Sequence, residues 1–232
     1  MIERFAAYDS RGYRTLDVVE GYSAWASFYD DTTDDRLDIA LLGLLTTVDW
    51  SGATRAVDLG CGTGRIGYWL RAHDVGHVDG VDISRAMLDQ AALKAVYNSL
   101  SCADVAFTGL DGAGYNLVLS SLATCHVDKL LPFYTEAVRL LRPGGRVILV
   151  DYHPFMLLKG VPTHFDTPAG EPIAIRNVIH LFSDHVRAAR GAGLELIELQ
   201  EQIVGPDWIA ENPRMAHHAG HPISFVMVWT SG

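Results

Sequence analysis

The chain has 232 residues, 49% of them apolar, and a formal net charge of −10 at pH 7, which suits one domain with a substantial core. No apolar run reaches the length of a membrane span and Met1-Ile2-Glu3-Arg4 does not open a signal peptide, so a soluble, cytoplasmic protein without membrane contact is expected. No block of Lys and Arg answers the acids Asp30, Asp31, Asp34 and Asp35, which argues against a nucleic-acid partner.

Val18 to Asp31 places Tyr22, Trp25, Phe28 and Tyr29 at steps of three, three and one, a spacing that suits packing on a core. From Asp34, the series Leu37, Leu41, Leu44/Leu45, Val48 predicts one helix with an acidic start that complements its dipole. Ala56-Val57-Asp58-Leu59 then reads as a strand feeding straight into Gly60, Gly62 and Gly64, and a helical pattern begins at Arg65. Glycines let a backbone approach a ligand closely, and the free N–H groups of the following helix start can bond what lies over the turn.

The spacing G-x-G-x-G departs from the dinucleotide fingerprint, and Arg65-Ile66 stand where a phosphate-binding Lys-Ser/Thr pair would be. Asp58 just before the glycines repels phosphate and suits a cation or an amine. His77 to Asp82 predicts a second strand ending in an acid about 20 residues past the turn, where α/β nucleotide-binding units place a carboxylate on ribose hydroxyls.

Ser84 is the expected cap of a helix through Met87, Leu88, Ala91 and Ala95. Leu100 to Val105 is a short third strand, and Tyr115 to Ser121 an apolar fourth strand suited to burial on both faces. Val127, Leu131, Tyr134, Val138 and Leu141 outline an amphipathic helix that Arg142-Pro143-Gly144-Gly145 stops, and Arg146 to Asp151 is a fifth strand. An extended segment 173–182, a helix capped by Ser183 and stopped at Gly191/Gly193, a sixth strand 194–204 and a last strand 223–229 complete the pattern. Cys61, Cys102 and Cys125 are odd in number and lack metal-ligand spacing, and the compact His217-His218-x-x-His221 has no helix to set it, so no metal is expected.

The strings VDLGCGTGR and LRPGGRVILVDYHP, in order with the acids at 82 and 104 between them, closely resemble the class I S-adenosylmethionine-dependent methyltransferases over about the first two-thirds of the chain. The resemblance implies a doubly wound α/β fold: a seven-stranded, mostly parallel sheet with its last strand antiparallel and helices on both faces. It implies a single domain over 1–232, with an N-terminal helical lid (1–50), a cofactor-binding half (51–152) and a substrate-side half (153–232). S-adenosylmethionine would be the cofactor, leaving as S-adenosylhomocysteine, held by Tyr29, Asp58, Gly60, Cys61, Gly62, Gly64, Asp82, Ile83, Met87, Asp104, Val105 and Ser120. Asp104 would bond the adenine amine with Val105 against the ring. The family carries Asp where Asn116 stands here, a difference expected to touch the loop edge more than the cofactor.

Segments 153–172 and 205–222 leave the sheet at its carboxyl edge, and five of the ten histidines fall in them. They are expected to roof a substrate pocket as two insertions, with Tyr22, Tyr152, His164 and His180 as candidate acceptor contacts. His126, after the fourth strand, and His153 are candidate bases, since imidazole titrates near neutral pH; for His126 a capping or core role is an equal alternative. The expectation is methyl transfer to a small molecule of specialised metabolism by a monomer or homodimer. A peptide methyltransferase and a cofactor-binding module without transfer are the rival readings.

Overall fold

The computed structural model describes residues 3–231; residues 1, 2 and 232 of the expected domain lie outside them. Strand β1 (Glu3–Arg4) and strand β2 (Arg14–Leu16) precede helix α1 (Val18–Trp25), and two single-turn helices follow, α2 (Tyr29–Thr32) and α3 (Ile39–Leu42). The N-terminal segment is thus only partly helical. The one helix expected from Asp34 to Val48 is broken because its acids bond the backbone locally: Asp34 accepts from Arg36 N and Asp38 from Ile39 N. Acidic side chains that cap in mid-segment compete with helix continuation.

Alternation follows through β3 (Arg55–Leu59), α4 (Arg65–Ala72), β4 (His77–Asp82), α5 (Arg85–Lys94), β5 (Ser99–Cys102), β6 (Tyr115–Ser121), α6 (Leu130–Leu140) and β7 (Leu141–Tyr152). Then come α7 (Pro154–Leu158), β8 (His164–Asp166), β9 (Pro172–Ile175), β10 (Val178–Ile179), α8 (Phe182–Gly191), β11 (Leu194–Ile203), α9 (Pro206–Glu211) and β12 (Pro222–Ser231). The main sheet has seven strands in the order β11-β12-β7-β6-β3-β4-β5, and β12 alone runs antiparallel to its two neighbours. The α/β architecture expected from the sequence is the observed one. Chain order reverses between β3 and β6, and ligands of such sheets bind beyond the carboxyl ends at that switch point.

The apolar strand runs are buried because both faces are covered. On one face Val57, Val118 and Leu149 meet Phe133, Tyr134 and Ala137 of α6; on the other, Ala56, Val78 and Leu117 meet Leu41, Ile66 and Leu70. The buried face of α6 takes in Leu130, Phe133, Tyr134, Ala137 and Leu140; of the expected series Tyr134 and Leu141 are buried, whereas Leu131 is 49% exposed. Helix α8 starts at Leu181, whose N–H bonds Asp184, so Ser183 is not its cap; Ser84 does cap α5 through Met87 N. Asn116 ties Thr54 and Arg55 to β6 at the sheet edge remote from the switch point.

Two small sheets, unforeseen, join distant segments: β2-β9-β8, with β2 parallel to β9, and the pair β1-β10. The two segments expected to be irregular hold α7 and β8 in the first and α9 with a 3-10 turn (Pro213–His218) in the second. One shared cluster anchors both: Met156 and Val161 of the first segment pack with Val204, Trp208 and Ile223 around the second.

Candidate active site

The turn after β3 holds Gly60, Gly62 and Gly64 at φ +78°, +52° and +91°, a region that side chains with a Cβ adopt at a cost. A Cβ on Gly60 would stand 2.7 Å from the Cβ of Ala123, in the loop after β6. One on Gly62 would meet no atom within 4 Å. Backbone therefore forms the floor of a cavity of about 170 Å³ lined by Gly60, Gly62, Asp82, Ile83, Met87 and Asp104, among others.

Asp82 ends β4 and accepts from Gly62 N at 2.8 Å and Ser84 N at 2.8 Å, so it holds the turn while lining the cavity. Burial pushes its carboxyl above the usual range, opposed by these backbone bonds. Asp104, just past β5, accepts from Ala106 N at 2.8 Å and stands on the same wall beside Val105. The cavity is closed on the lid side by Val18, Tyr22 and Tyr29, and at its far end by Leu122, His126 and Arg176.

Four expected cofactor residues lie behind this surface. Asp58 is fully buried, accepts from Tyr97 Oη at 2.7 Å, and its Oδ1 has no partner. Burial pushes its carboxyl up to about 7 against that hydrogen bond, so it is not the fixed anion on the ligand side that the sequence suggested. Cys61 is buried beneath the turn close to Gly80, Ser120 Oγ bonds Leu59 O from below at 2.8 Å, and Gly64 caps α4 in the left-handed region. They shape the cradle without lining it.

A second cavity of about 210 Å³ adjoins the first, and Tyr22, Tyr29 and Leu122 line both. Its walls are Trp25, Leu37, Tyr152, Val161, Met215 and Ile223, with Thr33, Thr163, His164 and His218 as polar members, and no carboxylate, lysine or arginine among them. Leu122 sits at φ +54°, strained for a leucine, and its N–H bonds Val150 O at 2.9 Å. The expected contacts Tyr22, Tyr152 and His164 are all here. His180 is not: its Nε2 donates to Val127 O at 2.7 Å and it borders only a small void with Cys125, Asp151 and His185.

The two candidate bases part company. His153 caps α7 by accepting from Phe155 N at 3.0 Å and gives Nε2–H to Glu201 at 2.8 Å. Both ring nitrogens are engaged, and neither cavity includes His153. His126 lines the first cavity, with Nε2 at 2.8 Å from Tyr22 Oη and Nδ1 at 2.7 Å from Arg176 O. Burial pushes its imidazole below the ordinary value.

The acidic cluster of the N-terminal segment works as tethers. Asp30 bonds Thr63 Oγ1 and Lys94, Arg65 pairs with Asp35 at 2.6 Å and Asp38 at 2.9 Å, and Asp34 accepts from Trp208 Nε1 at 2.7 Å. The lid is thus clamped both to the glycine turn and to the second insertion. Arg176 was missed from sequence because it carries no local signal: it is placed by pairing with a strand far away in the chain.

Residues 57–149, from β3 to β7, match the profile of a methyltransferase domain family. An uncharacterized methyltransferase of Emericella nidulans is 28% identical over 82% of this chain and 81% of that protein. A malonyl-[acyl-carrier protein] O-methyltransferase of Enterobacter lignolyticus is 38% identical over 39% of this chain, which spans about a third (36%) of that protein. The crystal structure of an S-adenosylmethionine-dependent methyltransferase from Mesorhizobium loti superposes with a TM-score of 0.68 at 22% identity, covering 86% of this chain and 98% of that one. Residues 57–149 thus carry a methyltransferase domain, on the fold of the class I S-adenosylmethionine-dependent methyltransferases.

The methyltransferase cavity fits its cofactor, S-adenosylmethionine, on chemical grounds. Two carboxylates, Asp82 and Asp104, can accept from hydroxyls and an amine. Between them Ile83, Met87 and Val105 offer an apolar slot for a flat ring, and the glycine backbone takes the close approach. Tyr22 and Tyr29 present aromatic rings to the cavity, favourable for a cation. When bound, the cofactor supplies an already activated methyl group. The protein's task is orientation, water exclusion and, where the acceptor brings a proton, its removal. No helix among the described residues is long and apolar enough to cross a membrane.

Proposed function

We propose that this methyltransferase transfers the methyl group to a small, uncharged, largely apolar molecule held in the second cavity. The observation that carries the reading is the shared wall: Tyr22, Tyr29 and Leu122 belong to both cavities, so a molecule in one abuts the other. The second cavity is as roomy as the first, and its lining offers no carboxylate to an ammonium and no lysine or arginine to a phosphate or carboxylate. The roof also argues against a peptide, which needs an open groove: α1, the first insertion and the second insertion all contribute to it. A place in the cytoplasm and in specialised metabolism belongs to the same proposal and rests on composition and on this aromatic, enclosed lining.

The test is calorimetric binding of S-adenosylmethionine, then turnover with methyl-labelled cofactor on flat neutral metabolites, phosphorylated or cationic amines, and short peptides. Labelled product from the neutral group alone is expected. Product only from peptides or charged amines would overturn the acceptor class, and cofactor binding with no product from any group would point to a module that does not transfer methyl.

A further inference from the structure

We propose that Tyr22 and His126 form a two-residue proton relay, held in register by the backbone carbonyl of Arg176, and that the acceptor atom is therefore a hydroxyl oxygen. This rests on the methyl-transfer reading above and adds the atom methylated and the path of its proton.

The direction of every hydrogen bond in the relay follows from chemistry. A carbonyl oxygen only accepts, so at 2.7 Å from Arg176 O the Nδ1 of His126 carries the hydrogen. In the neutral ring Nε2 then has the lone pair, and Tyr22 Oη, 2.8 Å away, donates to it. The phenol oxygen keeps its own lone pairs for a donor from the cavity side. Tyr22 is the polar side chain common to both cavities that contacts an imidazole, so a hydroxyl in the second cavity that donates to it has a continuous route to Nε2.

The rest of the fold fixes this pair. Arg176 N bonds Leu16 O at 2.9 Å, its guanidinium pairs with Asp128 at 2.8 Å, and β9, which ends just before it, lies parallel to β2. The small sheet that joins the lid to the first insertion thus sets the carbonyl that selects the tautomer. Burial holds the Tyr22 phenol protonated, with Tyr29 and Cys125 as neutral neighbours and the carboxylates Asp151 and Asp82 acting in the same sense; on His126 burial opposes the imidazolium, the Arg176 carbonyl and Asp151 favour it, and the Arg176 guanidinium opposes it.

The step balances. The acceptor oxygen forms its bond to the methyl carbon as the carbon–sulfur bond breaks. The acceptor proton passes to Tyr22 Oη while the Tyr22 proton passes to His126 Nε2. One positive charge is lost at sulfur and one appears on the imidazole, which returns its proton to solvent after release.

Two measurements test the relay. Nitrogen-15 NMR of histidine in the protein without ligand reads the tautomer, and an Nδ1–H form for His126 is expected; an Nε2–H form overturns the proposal. Turnover is then compared for 2-naphthol and 2-naphthalenethiol, the thiol being ionised without help. H126N and Y22F should bind S-adenosylmethionine within a few-fold of the parent and lose about 10²–10⁴-fold in kcat/KM on the naphthol at neutral pH. On the thiol the loss should be only a few-fold, and naphthol turnover by the variants should climb with pH as the acceptor ionises itself. Equal losses on both acceptors at every pH, the mark of a lid latch, overturn the relay, as does a parent protein that binds cofactor and methylates only the thiol. Failure to bind S-adenosylmethionine overturns the methyl-transfer reading and the relay with it.

Discussion

The two cavities are built on opposite plans. The cofactor side is contiguous: a nine-residue stretch, 56–64, supplies the floor, and Asp82 at the end of β4 and Asp104 just past β5 supply the carboxylates, both strands being hydrogen-bonded into the main sheet. The acceptor side is assembled from α1, the loop after β6 and both insertions, whose residues lie up to two hundred positions apart and meet through small sheets and ion pairs. Backbone conformation fixes the first; side-chain packing fixes the second. The first should tolerate almost no change and the second a good deal, which is how one fold can keep a cofactor while its acceptor varies.

The largest expected effect comes from attacking backbone geometry. Gly62→Val keeps the fold, since no atom lies within 4 Å of the added Cβ, yet it forces a branched side chain to φ +52° at the cavity floor. Strain of about 1–3 kcal/mol together with the lost approach should weaken S-adenosylmethionine binding by about 100-fold or more, read by calorimetry. The matching change on the other side is Met215→Trp, which narrows the second cavity from its half-buried rim. Acceptor kcat/KM should fall about tenfold to a hundredfold with cofactor affinity unchanged. If Met215→Trp weakened cofactor binding as much as Gly62→Val does, the separation of the two plans would be lost.

The same contrast explains what was legible in the sequence. Gly60, Gly62 and Asp82 could be placed because each marks a strand end at a fixed distance from the next, and a period-two or 3.6-residue pattern locates strand ends; Asp104 was placed by the family resemblance. Asp58 misled because the letters give its position at a strand end but not the side of the turn it faces, and burial against Tyr97 decided that. His153 and His180 misled for a related reason: their ring nitrogens were claimed by Glu201, Phe155 and Val127, partners 48, 2 and 53 residues away. Arg176 gave no signal at all, since its part is played by a carbonyl that every residue carries. The pairing of β2 with β9 was equally invisible, for two short strands of three and four residues carry too little alternation to announce a partner.

The smallest effect is on stability against pH, and here the two sides should slope in opposite directions. On the cofactor side burial raises the Asp58 carboxyl to about 7 and shifts Asp38 and Asp82 upward too. A group raised on folding stabilises below its unfolded value, here that of an ordinary carboxylate, and loses that contribution as pH rises through about 7. Behind the acceptor side burial lowers His185 to about 3, with Tyr134 Oη 3.0 Å from its Nδ1. A histidine lowered on folding stabilises above its unfolded value near 6.5 and loses that contribution as pH falls toward about 3. Urea unfolding from pH 4.5 to 7.5 should therefore show Asp58→Asn gaining on the parent protein as pH rises, and His185→Gln gaining on it as pH falls. Parallel pH profiles for the two variants would mean that burial does not divide the titrating groups between the two sides in this way.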